Sequence, residues 1–528
     1  MRRLLAGIFL GLTALPSRAQ DESLVRAAMY LSGASCEEEI PADWIERLEA
    51  ARPVHVNSPY LREGLLLSDY QVACIRDYRA SSGDILSPEE LALVDGFSPA
   101  AVKALAPFLR FDSDRLPGNV DTVKVRGSVL VRGTRSGLGA KAKVSGDAWR
   151  AGGAWRGEDW TVFGEGTLRR WRLTAGDFHA RWGQGLAAWT GFSMESLSTL
   201  DAFTKRATGV SPSGSYSSAT ALRGVALEYN AGPVRGTVMG GKGFAGAHAD
   251  FLRRRGQVGI SWFSGGTFAV DSRWNLRGVD MAAEAALRRG RPAGTFSLRD
   301  RAGAQGKWAV QLRAVPSSYS GKKNGEYGLA AGYGFRNHNG ETPGHELSLT
   351  SDAALLPVPG ADPRRFQLRV YGIWKWQINP LWLLDVRLTE RYRNYEAPRT
   401  DLRGDVRFGG TGPWLSTLRL EAVQCDGWGL LGYLEGGYKG NDISAYLRLT
   451  GFSVSAWPAR VYCYEREAPG NFSVPAYNGR GLATSLVAGG KWHIGRRFTL
   501  RTHLRAACTL RTDRAPAYTL NIQLQGDW

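Results

Sequence analysis

The chain ends on Tyr518-Thr519-Leu520-Asn521-Ile522-Gln523-Leu524-Gln525-Gly526-Asp527-Trp528, an alternation of apolar and polar residues that runs to the last position. Side chains of a strand point to opposite faces in turn, so Tyr518, Leu520, Ile522, Leu524 and Trp528 share one face. Thr519, Asn521, Gln523, Gln525 and Asp527 share the other. Such a split suits a strand with lipid on one side and a wet lumen on the other. One strand of this kind also fits the edge of a soluble sandwich, so repetition has to decide.

The pattern repeats. Val123, Val125, Val129 and Val131 alternate with Lys124, Arg126, Ser128 and Arg132, and Phe366, Leu368, Val370, Trp374 and Trp376 alternate with Gln367, Arg369, Tyr371, Lys375 and Gln377. Phe498, Leu500 and Leu504 do the same against Thr499, Arg501, His503 and Arg505, which makes the polar face cationic. From about residue 120 onward roughly 18 to 22 such segments, separated by Gly, Asn, Asp and Pro, predict a large antiparallel up-and-down transmembrane barrel. The 66 Gly, 18 Trp and 19 Tyr agree, since glycine serves turns and crowded wall positions while Trp and Tyr suit interfacial girdles. The C-terminal aromatic resembles the terminal signature of bacterial outer-membrane barrels.

The start of the chain supplies the compartment. Arg2 and Arg3 precede an apolar run from Leu4 to Leu15, and Ser17-Arg18-Ala19 before Gln20 fits a cleavage site, so residues 1–19 read as a secretory signal peptide. The run falls short of the roughly 20 residues that an anchor helix needs. An exported chain with lipid-compatible strands and no spanning helix belongs in an outer membrane, because only helices and closed barrels satisfy backbone groups in lipid.

Charge divides the remainder. Residues 21–112 hold 8 Lys or Arg against 16 Asp or Glu, a net of −8, while residues 113–528 carry +23 of the chain's total of +18. The expected organisation is an acidic helical segment at 20–52, an all-α periplasmic head at 53–112 and a basic barrel at 113–528. In the head, Ser58-Pro59, Ser87-Pro88 and Ser98-Pro99 each place a capping serine before a proline at the first helical position. Ser68 to Gln71 and Ser87 to Glu90 have capping-box spacing. Four short helices are predicted, paired into two hairpins joined by residues 78–86.

The runs Val54-His55-Val56-Asn57-Ser58, Gln71 to Arg79, Leu86-Ser87-Pro88-Glu89-Glu90-Leu91 and Val94-Asp95-Gly96-Phe97-Ser98 resemble the tandem helix-hairpin-helix domain of competence-type DNA receptors. The resemblance implies hairpins that present backbone N–H groups to phosphate, at Leu66-Leu67-Ser68 and Gly96-Phe97-Ser98, with Arg76, Arg79 and Lys103 nearby. Glycine permits that approach. The first hairpin has neither glycine of the family's Gly-hydrophobe-Gly pattern and the second has one, and the acidic charge opposes counterion release from DNA. Protein contact is therefore the preferred role of these hairpins, and DNA the alternative.

A second resemblance lies in Gly176 to Phe192, followed by Lys205-Arg206, Gly209 and Arg223-Gly224, and is to an outer-membrane family that pairs a degenerate helix-hairpin-helix head with a barrel. It implies architecture and location and no activity. The stretch from Trp182 to Ser218 is too long and aromatic for a turn, and is either an extracellular loop or a segment folded into the lumen. Trp182, Gln184, Trp189, Lys205 and Arg206 are its candidates for a lumenal or mouth site.

No catalytic constellation emerges from the seven histidines, and Asp177 with His179 reads as a lumenal hydrogen-bonding pair. No metal or cofactor is expected. Cys36 and Cys74 are either bridged or two free thiols. The sequence thus predicts a noncatalytic transport, envelope-assembly or scaffolding component whose partners are outer-membrane lipid, lipopolysaccharide and a periplasmic protein. The alternative is a DNA-uptake receptor.

Overall fold

The computed structural model describes residues 20–528 apart from 41–43, 46–47, 49–52, 59–60, 62–65, 114–124, 136, 147, 192–196, 254–255, 301–305, 323–324, 338–343, 359–364, 410–412, 441 and 496. The signal segment, and the helix expected to open at Ser58-Pro59, lie outside or largely outside these residues. From Arg126–Thr134 to Arg514–Asp527 the chain forms one closed antiparallel barrel of 24 strands. The last strand closes on the first, with Leu524 opposite Val131 and Asp527 opposite Ser128. No helix of the described residues is long and apolar enough to cross a membrane.

The two-residue period sets the wall's two surfaces. Val129, Val131, Leu520, Ile522 and Leu524 are exposed on the outside, while Arg132, Asn521 and Gln523 are buried inside. Outward aromatics gather near both rims, Trp149, Trp171 and Trp414 at one and Trp155, Trp160 and Trp428 at the other. An apolar outer wall between aromatic girdles is the surface a bilayer requires. Trp528 joins the first girdle, and its main chain exchanges two hydrogen bonds of 3.0 Å with Gly127. The indole lies so close that a Cβ on Gly127 would fall 2.3 Å from it, so glycine is needed there.

The barrel exceeds the expected 18 to 22 strands. One hairpin of its first half turns on Arg169-Arg170, a pair without a turn residue, while Arg277-Gly278 and Arg289-Gly290 carry glycine only at the second position. Arg169, Arg277 and Arg289 adopt φ of 52°, 51° and 51°, a left-handed conformation that the sequence of an arginine does not announce.

The long connections, 182–221 and 455–478, lie at one rim, and the chain enters and leaves the barrel at the other. Short turns at the periplasmic side and longer loops outside are the rule for such barrels, so the first rim is extracellular.

Residues 20–113 form a compact N-terminal unit. Helix Gln20–Ser32 shares one core with the later helices through Leu24, Leu31, Ile75, Phe97 and Leu105, so the segments divided at residue 52 are packed together. Ser68 makes the full capping box with Gln71 at the head of Asp69–Ser82, and Ser87 and Ser98 cap Pro88–Leu91 and Pro99–Leu105. The first of these helices runs to Ser82, which shortens the expected linker. The unit is not purely helical, because Val54–His55 pairs in parallel with Leu109–Arg110. Buried Asn57 ties it together, donating to the carbonyls of Ile85 (2.8 Å) and Asp112 (3.0 Å) and accepting from the Ile85 N–H (2.9 Å). All five cysteines, Cys36 and Cys74 included, are free thiols.

The unit does not sit beside the barrel, as the charge division suggested. It packs against the inner wall, where its acidic turn meets lumenal arginines, and neutral and apolar contacts add to that attraction, with Thr199 on the Gly33 carbonyl at 2.9 Å and Phe472 against its core.

Candidate functional site in the barrel lumen

The lumenal wall is built from charge-alternating strands. Along Trp382–Arg393 and Glu396–Phe408, Asp385 with Arg387, Arg399 with Asp401 and Arg403 with Asp405 occupy alternate positions, so each pair shares the inner face. Asp385 and Arg387 bond at 3.1 Å. Asp405 receives Arg403 at 2.9 Å and Arg419, from the next strand, at 2.7 Å.

Into this surface the N-terminal unit inserts the acidic turn Glu37–Glu39. One Glu38 oxygen accepts from Arg403 at 2.7 Å, and the other accepts from Arg419 at 2.5 Å and from the backbone N–H of Tyr464 at 3.0 Å. Glu37 lies 3.6 Å from both Arg403 and Arg407. Arg387 donates to the Ser35 carbonyl. Burial pushes the Glu38 carboxyl up, but Arg403 and Arg419 overcome it and hold the group well below the usual carboxylate range. Glu37 is lowered too, burial again being outweighed, chiefly by Arg407. Both stay ionised, as a buried carboxylate between guanidiniums must to repay its desolvation.

The loop 182–221 folds inward, the second of the two readings its length allowed. Glu284 of the wall accepts the backbone N–H groups of Gln184 (2.6 Å), Leu186 (3.0 Å) and Ala187 (3.0 Å), and Gly209–Pro212 adds a short strand against the end of Trp171–Arg181. Trp182 is buried and stacks on His248 with centroids 5.1 Å apart. Gln184 accepts from the Lys205 N–H at 2.9 Å, and the Lys205 ammonium lies 5.1 Å from the Trp189 ring centre. Arg206 crosses to the N-terminal unit, donating to the Leu66 carbonyl (3.0 Å) and to Gln71 Oε1 (2.7 Å) with its guanidinium over Tyr30. All five candidates of this loop are therefore lumenal, and four of them, all but Trp182, line one cavity.

The hairpin candidates fall elsewhere. Leu66, Leu67 and Phe97 are core residues, and Ser68 and Ser98 spend their hydroxyls on helix caps. Gly96 has φ +92°, and its carbonyl accepts from Gln71 at 2.9 Å, which links the two hairpins. Arg76 donates to the Leu61 carbonyl (3.1 Å) and to Asn230 of the wall (3.4 Å), Arg79 pairs with Asp84 (2.9 Å), and Lys103 is exposed. Asp177 takes Arg223 at 2.9 Å and the Val162 N–H at 2.8 Å. Nothing groups the described His, Cys, Asp and Glu side chains into a metal-binding cluster.

The second long loop, 455–478, also turns in. Its Glu465 and Glu467 pair with Arg505, and Arg132 donates to the carbonyls of Pro469 (2.8 Å) and Gly470 (3.2 Å). Burial pushes the thiol of its Cys463 up to about 12, against the pull of Arg419 and Arg448. Between the plugging elements and the wall a cavity of 760 Å³ remains. Glu37, Glu38, Arg403, Arg419 and Glu284 were missed in the sequence, although the Glu37-Glu38-Glu39 run and the alternating Asp and Arg pairs were visible there.

Among solved structures, the P pilus usher (PapC) translocation pore aligns with a TM-score of 0.36 at 9% identity, over 76% of this chain and 98% of that one. The outer membrane protein opdK from Pseudomonas aeruginosa gives 0.31 at 13% identity, over 76% and 99%. A P pilus tip assembly intermediate of E. coli, PapC-PapD-PapK-PapG, gives 0.45 at 11% identity, over 78% and 62%. Likenesses this distant carry no argument about what the chain does. No family model and no curated protein matches the sequence.

Proposed function

We propose that the protein is a noncatalytic outer-membrane channel held shut by its own N-terminal unit, which a periplasmic protein partner displaces to open it. The observation that carries this reading is Glu38, buried between Arg403 and Arg419 at 2.7 and 2.5 Å. The unit meets the wall and its inward loops mainly through charged and hydrogen-bonded groups, at Glu38, Arg76, Arg206 and Arg387, which water can satisfy on release. A unit sharing an extensive apolar core with the wall could not part from it without unfolding. The tandem helix-hairpin-helix resemblance deepens the reading. Leu86 and Leu93, by its second hairpin, are exposed at 59% and 76%, and suit a protein partner on the periplasmic side. DNA remains the disfavoured occupant, because Leu66 and Gln71 are engaged by Arg206. Lipid and lipopolysaccharide would meet the apolar wall and its girdles.

The test is single-channel recording in planar bilayers. The full chain should be closed most of the time, and a variant lacking residues 20–113 should conduct steadily. A folded deletion variant that stays closed would sink the proposal.

A further inference from the structure

Cations dominate the space that the plug leaves open. Ten Arg or Lys line the 760 Å³ cavity beside Asp201 and Glu326, and four of them are paired: Arg273 with Asp280, Arg299 with Asp201 and Asp280, Arg313 with Glu326 and Asp352, and Arg393 with Glu396. Two of the arginines turn their N–H groups to neutral acceptors, Arg206 to the Leu66 carbonyl and Gln71, and Arg288 to Thr267 (3.0 Å) and the Tyr319 carbonyl (3.2 Å). Their charge is solvated by dipoles and not cancelled.

The barrel wall continues this field toward the extracellular rim. Arg369 stands directly opposite Arg391, and Arg391 directly opposite Arg399, on three successive strands. Alternation puts all three on the inner face, with buried Gln367 and Tyr371 beside Arg369, Asp385 and Arg387 below Arg391, and Arg403 and Asp405 below Arg399. Like charges facing each other across a sheet are destabilising. Arg399 has Asp401 at 3.0 Å, yet Arg391 makes no ion pair among the described residues. Arg369 and Arg393, two positions beyond Arg391, both line the cavity, so the arginine row leads into it.

We infer that this space binds a small, multiply charged anion bearing carboxylate or phosphate groups, which arrives from the extracellular side past Arg399, Arg391 and Arg369. The guanidinium fork matches both oxyanions, and the volume lies within the range of small-molecule sites. A lumen walled by low-dielectric sheet concentrates such an anion more strongly than an open surface with the same charge. The inference names the solute class for the proposed channel and rests on that reading.

Isothermal titration of the detergent-solubilised full chain with citrate and with pyrophosphate, over a salt series, tests it. Choline serves as the cation control. Saturable binding that weakens with salt is expected, falling by about 10-fold or more in the R369Q/R391Q double variant, as loss of charged hydrogen bonds implies. The R289Q variant, altered in an exposed turn outside the cavity, should bind as the parent does. Heat-modifiable gel migration verifies that each variant is folded. Binding of citrate alone assigns a carboxylate ligand, of pyrophosphate alone a phosphate ligand, and of both a site selective for charge; each supports the inference. No saturable binding of either anion, or equal binding by the folded double variant, overturns it. If removal of residues 20–113 opens a pore while the intact chain binds neither anion, the channel reading survives without this one.

Discussion

Replacing Glu38 by Gln removes the charge at the centre of the plug contact while keeping an oxygen of similar reach. In the parent, that carboxylate faces Arg403 at 2.7 Å and Arg419 at 2.5 Å, with all three side chains under one-tenth exposed. Breaking a buried ion pair from one side costs about 3–5 kcal/mol. Asp405 still compensates both guanidiniums in the variant, so the lower end applies, about 3 kcal/mol or roughly 150-fold in the docked-to-released ratio. Proteolysis of the N-terminal unit in liposome-embedded protein, alongside its conductance, reads that ratio. Acid should act in the same direction. Docking lowers the Glu38 and Glu37 carboxyls, so its electrostatic stabilisation is complete above the free-glutamate value of about 4.3 and is lost as pH falls below it through the docked values. The parent should therefore loosen only under strong acid, and Glu38→Gln should begin looser and respond less. A Glu38→Gln protein as protease-resistant and as closed as the parent at neutral pH, with the same acid response, would refute the latch.

Other outcomes are expected. Mature protein should fractionate with the outer membrane and migrate heat-modifiably, and Trp528→Ala should lower its assembled level, since the last strand must find Arg126–Thr134 to close the barrel's exposed edge. Asn57→Ala deletes three hydrogen bonds of a buried amide and should destabilise the N-terminal unit by about 1–3 kcal/mol, seen as faster proteolysis of that unit with barrel migration unchanged. The full chain should bind double-stranded DNA more weakly than roughly 100 µM at physiological salt by fluorescence anisotropy, and micromolar, salt-sensitive binding would restore the DNA reading.

The barrel was legible because lipid and lumen impose a strict period of two: the faces assigned to Tyr518, Leu520, Ile522 and Leu524, and to Asn521 and Gln523, are the ones observed. Strand number was less so, because a turn such as Arg169-Arg170 is fixed by pairing of its flanking strands and not by its own residues. Helix caps at Ser68, Ser87 and Ser98 are local and were read correctly. The plug contact was not, since Glu38 meets Arg403 and Arg419 across hundreds of residues, and no local pattern encodes such a meeting. The candidates Gln184, Trp189, Lys205 and Arg206 did converge, because one loop carries them all.

The bond from the Tyr464 N–H to Glu38 joins the loop 455–478, rooted at one rim of the barrel, to the N-terminal unit. A displacement of 455–478 therefore bears on the same carboxylate that Arg403 and Arg419 hold. The other long loop reaches the same unit through Arg206, on the Leu66 carbonyl and Gln71, and through Thr199, on the Gly33 carbonyl, so both inward loops grip the plug directly and neither could be displaced without loosening it.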